Sequence, residues 1–179
     1  MNLTISTALK LVDRLNKSIT SIEQFEQKNN TQSHLTTESP IESEYNFENI
    51  QKDWNSCVAY LTYLKSKIRE KNISCHGKVT DETIDSLLVL LPFYSSRSKT
   101  LGHMKMTPAK QISSRSIGGT ASTITIINYD KSIVEETSQV ITSELQKMQE
   151  DIDYFNTTET IEINDYDFGV IQELISRYG

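Results

Sequence analysis

Apolar side chains recur at three- and four-residue steps along most of this chain. Ile5, Ala8, Val12, Leu15, Ile19, Ile22 and Phe25 place one apolar face on residues 4–28, and Asp13, Arg14, Lys17, Glu23 and Glu26 take the rest of the surface. The spacing predicts a helix with Thr4 or Ser6 as its N-cap. Phe47, Ile50, Trp54, Cys57, Leu61, Leu64 and Ile68 then step three and four in strict alternation. That is a heptad seam on roughly 33 Å of helix, and such a repeat calls for a partner helix. Tyr60 and Tyr63 lie off this seam. A third helix is expected from Thr80, with Asp81 and Glu82 in its first turn and Ile84, Leu87, Leu88 and Leu91 as its buried face. Pro92 should kink or end it. Asp130 is placed to cap a fourth helix, whose seam runs through Val134, Ile141, Leu145, Met148, Ile152 and Phe155 to about Asn156.

Period-two and β-branched signals are short. Residues 120–127, with Thr123, Ile124, Thr125, Ile126 and Ile127, read as one strand, and 157–163 as a second. A helix of about 38 Å separates them, and each strand reaches only about 20 Å. The two would barely overlap if folded back, so pairing is expected between subunits or with a neighbouring segment. Residues 29–45 form an aperiodic polar connector. Val170, Ile171, Leu174 and Ile175 suit a short amphipathic helix in the tail, 165–179. The expected architecture is mainly α: a single domain, 1–179, built as an antiparallel bundle of long helices, with two short β-strands flanking the last long helix. Two seams and two strands without partners point to a homo-oligomer.

Composition narrows this picture. The 179 residues carry a net charge of −6, which argues against general nucleic-acid binding. The longest apolar run, Leu87–Leu91, is too short to span a bilayer and is followed by Pro92. Met1-Asn2-Leu3-Thr4 does not read as a signal peptide. Two cysteines, Cys57 and Cys75, make no disulfide framework and fit a cytoplasmic location. Cys75 beside His76 lacks the second pair that a tetrahedral metal site needs, so no metal and no cofactor is expected.

Charge is unevenly distributed. From Ser86 to Tyr129 there is no Asp or Glu, while Arg97, Lys99, Lys105, Lys110 and Arg115 give +5. This stretch, 86–129, is expected to be the end of the third helix and a basic loop. Within it Ser95-Ser96-Arg97-Ser98 and Ser113-Ser114-Arg115-Ser116 are alike, and Gly118-Gly119 follows the second. Hydroxyls, guanidinium forks and glycine-exposed N–H groups are the donors that phosphate oxygens require. The candidate ligand-binding residues are Tyr94, Ser96, Arg97, Ser98, Lys99, His103, Lys105, Ser114, Arg115 and Ser116, with Tyr94 and His103 placed to stack on a base. No nucleophile-elbow, Walker or Rossmann pattern occurs, and none of His34, His76 and His103 has a nucleophile at a meaningful spacing.

The chain also resembles a family of small bacterial helical proteins that goes by the name septicolysin. The resemblance rests on Ile68-Arg69-Glu70-Lys71-Asn72 before a Thr-initiated helix, on Ser114-Arg115-Ser116 before an extended segment, and on Asp153-Tyr154-Phe155-Asn156-Thr157-Thr158 closing the last long helix. It covers about residues 5–160 and leaves the tail as an addition. The family name implies a cytolysin, but no amphipathic hairpin or apolar span here suits a pore. The leading expectation is a non-enzymatic oligomer that binds an anionic, phosphate-bearing small molecule and sequesters a signalling nucleotide. The alternatives are a structural or protein-interaction bundle, or a membrane-active septicolysin-like protein.

Overall fold

A computed structural model describes residues 1–31, 33, 45–114 and 122–179. The elements run β1 (Asn2–Thr4), α1 (Ile5–Asn29), α2 (Phe47–Ser74), α3 (Ile84–Met106), β2 (Lys110–Ser114), β3 (Ser122–Ile126), α4 (Lys131–Thr158), β4 (Thr160–Glu162) and α5 (Asp165–Tyr178). The protein is mainly α, with two antiparallel two-stranded sheets, β1–β4 and β2–β3. The chain divides into two compact units: residues 1–75 with 154–179, and residues 76–153. Most of the expected connector, 34–44, lies outside the described residues.

The first unit is built on the stripe of α1. Ile5, Ala8, Leu11, Val12, Leu15 and Ile22 are buried, as are Ile50, Cys57, Leu64 and Ile68 of α2 and Ile171, Leu174 and Ile175 of α5. Thr4 caps α1 by accepting from the Thr7 N–H at 3.2 Å, and Asn46 caps α2. Trp54 Nε1 donates to Glu23 at 3.3 Å, while the Ile5 N–H and Lys71 Nζ both reach Glu159. The end of α1 therefore meets the start of α2, and the two helices run antiparallel. The Tyr60–Asp167 and Asp53–Arg177 bonds likewise set α5 antiparallel to α2. Burying a Leu such as Leu15 contributes about 1.5–3 kcal/mol. The tail is thus part of this core and not an appendage.

β4 finds its partner inside the chain. Leu3 opposes Ile161 and Thr4 opposes Thr160, so the three residues ahead of α1 supply the second strand. The 120–127 signal becomes β3 and pairs with β2 in register Lys110–Ile126, Gln111–Thr125 and Ile112–Ile124. Of the two expected arrangements, pairing with another segment of the chain holds and pairing between subunits is corrected; the two short partners are too brief or too polar to declare themselves.

The second unit contains a carboxylate held by a turn. Asp151 is 2 % exposed. It accepts from the Val79 N–H at 2.9 Å, from the Thr80 N–H at 2.9 Å and from the Thr80 hydroxyl at 2.7 Å. Burial alone would raise its pKa, but these donors and the Lys78 N–H outweigh burial and hold it below the ordinary carboxylate value. Thr80 is therefore occupied, and the expected cap shifts to Thr83, whose hydroxyl accepts from the Ser86 N–H at 3.2 Å. Asp85, not Asp81 or Glu82, sits in the first turn of α3. Asp81 instead takes a left-handed φ of 59° in the turn.

Pro92 does not end α3. The Leu88 carbonyl loses its intrahelical donor to the proline. Leu88, Val89, Pro92 and Phe93 are all exposed, so solvent can satisfy it. The expected basic loop is helix as far as Met106 and then hairpin strands. α4 starts as expected, with the Ser132 N–H and hydroxyl bonded to Asp130 at 2.8 and 2.7 Å.

Candidate anion-binding site

Seven of the ten candidate residues lie on α3, between Tyr94 and Lys105, over about 17 Å of helix. Helical phase then sorts them. Tyr94, Ser98 and Lys105 share the stripe of buried Leu101 at steps of four, three and four. Ser96, Lys99 and His103 occupy a different, exposed stripe, and Arg97 lies between the two, also exposed. Ser114 is the last residue of β2. Arg115, Ser116 and Gly118-Gly119 lie outside the described residues. The seven on α3 therefore divide between two faces of one helix, with Arg97 between them, and Ser114 lies on the hairpin.

The inner stripe leads to α4. Lys105 Nζ stands 2.9 Å from Glu135 Oε1. At the same end, the Tyr129 hydroxyl donates to the Met104 carbonyl at 2.7 Å, and the Thr107 N–H and hydroxyl donate to the His103 carbonyl. These bonds satisfy the free carbonyls of the last turn, and Lys105 is a cation suited to the negative end of the dipole. A solvated helix terminus needs nothing more than this.

What exceeds that minimum is a groove of about 410 Å³, lined by Lys105 with Ser138, Gln139, Thr142, Ser143 and Gln146. Its α4 wall is a stripe of uncharged hydroxyls and amides. The Thr142 hydroxyl bonds back to the Ser138 carbonyl at 2.7 Å, and Gln146 donates to Glu150 at 3.0 Å. The Gln139 and Ser143 side chains make no hydrogen bond among the described residues, so their donors remain open to a guest. An ammonium, hydroxyls and amides fit phosphate oxygens. Glu135 already holds Lys105, so an incoming anion must compete with that carboxylate.

The five α4 residues were not foreseen. Their signal was present: between Glu136 and Lys147, the positions at steps of one, three, one and three carry no charge. The Cys57 thiol is buried, and burial with the nearby Asp53 charge pushes its pKa up to about 11, which makes it a poor nucleophile. Among the described residues no group of three His, Cys, Asp or Glu is placed to hold a metal ion, and no helix is long and apolar enough to cross a membrane.

Comparison of the chain with protein-family models, with curated proteins and with solved structures finds no match in any of the three.

Proposed function

We propose that this protein is a non-enzymatic, oligomeric binder of a phosphate-bearing small molecule, which it holds on the α3–α4 side of the second unit, sequestering a signalling nucleotide. The observation that carries the reading is Lys105. It is a cation singled out by the acid-free stretch, and it lines a groove otherwise made of hydroxyls and amides. Tyr94 and Ser98 share its helical stripe, and Arg97 is the nearest further cation in helical phase. The unpaired thiols Cys57 and Cys75 agree with a reducing, cytoplasmic setting.

Assembly is supported by an imbalance in the second unit. It buries Ile84, Leu87, Leu101, Val134, Met148 and Ile152, while Val89, Phe93, Met106, Ile112, Ile124, Ile126, Ile133 and Val140 stay exposed. Ile112, Ile124 and Ile126 share one face of the hairpin by register. Apolar surface on this scale favours a protein partner, and a second copy is the partner proposed. The same surface supports the protein-interaction reading. Titration calorimetry with mono-, di- and cyclic nucleotides separates the two. Heat that is lost in Lys105→Ala supports ligand binding; no heat from any nucleotide, with assembly intact, leaves the interaction module. The cytolysin implied by the family resemblance is tested by liposome leakage, and none is expected.

A further inference from the structure

The first unit holds a larger polar cleft, of about 600 Å³, between α2 and α5. That lies within the range of small-molecule sites, roughly 300–1,000 Å³. Its principal walls are Asp53, Tyr60, Tyr166, Glu173, Arg177 and Tyr178, with Leu174 below. We infer that this cleft binds a small organic cation, an ammonium group carried on an aromatic body.

The groups of the cleft divide into those already bonded and those still open. Arg177 commits both terminal nitrogens to carboxylates, Nη1 to Asp53 Oδ2 at 2.5 Å and Nη2 to Glu173 Oε1 at 2.7 Å. The Tyr178 hydroxyl donates to the same Asp53 oxygen at 2.7 Å, and the Tyr60 hydroxyl donates to Asp167 at 3.3 Å. The guanidinium and both phenolic protons are thus turned towards carboxylates and away from a guest. What remains open is acceptor and π surface. Asp53 Oδ1 accepts no bond from the described residues, and it is not sealed from solvent. Tyr166 is 74 % exposed at the rim, and the other two rings are fixed by their hydroxyl bonds.

Charge points the same way. Asp53 and Glu173 of the lining balance Arg177 and the rim residue Lys52, and Asp167, which accepts from the Tyr60 hydroxyl, adds one negative charge beside the cleft. Burial first, and then the Asp167 and Asp53 charges, raise the pKa values of Tyr60 and Tyr178. Lys52 is the one lining cation without a carboxylate partner among the described residues. A cation finds a carboxylate oxygen of Asp53 in the lining and the exposed Tyr166 ring at the rim, while the Tyr178 ring already has the Arg177 guanidinium 6.0 Å from its centroid. The site is independent of the groove at Lys105, so either can fail alone.

The test is titration of the full chain with tryptamine and with indole-3-propionate, which pair one aromatic body with opposite charges. Tryptamine binding that weakens at least fivefold in Tyr166→Ala and at least tenfold in Asp53→Asn, with no binding of indole-3-propionate, supports the inference. Tyr166 is exposed, so its variant keeps the wild-type melting temperature and reads binding alone. Equal or tighter binding of indole-3-propionate, no binding of either probe at millimolar concentration, or full tryptamine affinity in Tyr166→Ala would overturn it.

Discussion

Asp151 and Thr80 stand 71 positions apart, yet the Thr80 N–H and hydroxyl both donate to one oxygen of Asp151, at 2.9 and 2.7 Å. That pair ties the far end of α4 to the turn from which α3 starts. It makes a buried charge into a structural fastening, because every donor the carboxylate needs comes from that turn.

Asp151→Ala should lower stability by about 1.5–3 kcal/mol, the range for hydrogen bonds to a charged group. Asp151→Asn should cost less, since an amide still accepts at one atom. The folded-state pKa is depressed, so this contribution is fully present above the ordinary carboxylate range and is lost as pH falls through the folded value. Denaturant midpoints of the wild type should therefore fall below about pH 4, and the gap between wild type and Asp151→Ala should close there. A gap that stays constant with pH would show that the loss is one of packing only.

Gly77 is constrained by the same carboxylate. A Cβ at this position would collide with the Asp151 carboxyl group and come within 2.7 Å of the Thr80 hydroxyl oxygen. Gly77→Ala should destabilise the second unit even though the change is small. Asp81→Val should cost roughly 1–3 kcal/mol, because a β-branched residue is strained at φ 59°. Asp81→Gly should be near neutral. Thermal melts of the three variants check this order.

Self-association is predicted to depend on the exposed face of α3. Phe93 is 70 % exposed, so Phe93→Lys should leave the fold unchanged and shift assembly towards monomer. Light scattering at micromolar concentration reads this directly. A wild-type mass of 20.4 kDa would remove the oligomer from the account.

The tail offers a further check. Ile171, Leu174 and Ile175 are buried in the first unit, so truncation after Asn164 should reduce cooperative unfolding as well as any assembly. A truncated chain with the wild-type melting temperature would contradict the packing of α5.

Much of this fold was legible because helices declare themselves by period. The caps at Thr4 and Asp130 follow from side-chain chemistry, and the α1 stripe follows from spacing in part, since Ile5, Ala8, Val12, Leu15 and Ile22 are buried, joined by Leu11, while Phe25 is exposed. The α2 seam is legible in part, since Ile50, Cys57, Leu64 and Ile68 are buried while Phe47 is exposed. Three features were not legible because they depend on distant partners. Asn2–Thr4 is too short to show a strand period until β4 lies beside it. Thr80 reads as a cap until Asp151 takes its hydroxyl. Pro92 reads as a helix end unless its neighbours are known to face solvent. The site shows the same division. A missing carboxylate is visible in composition, and so the cations of α3 could be named. Which of them face α4 is set by helical phase around Leu101, and the uncharged stripe of α4 gains meaning only with Lys105 placed beside it.

The central claim is that the groove at Lys105 takes a phosphate-bearing ligand. Titration calorimetry of wild type and Lys105→Ala against a nucleotide panel tests it most directly. The account predicts saturable binding of at least one nucleotide, weakened by added salt and by roughly ten- to a hundredfold in Lys105→Ala, as expected for loss of a charge-assisted contact. Wild-type affinity retained in Lys105→Ala, or no heat from any nucleotide, would contradict it.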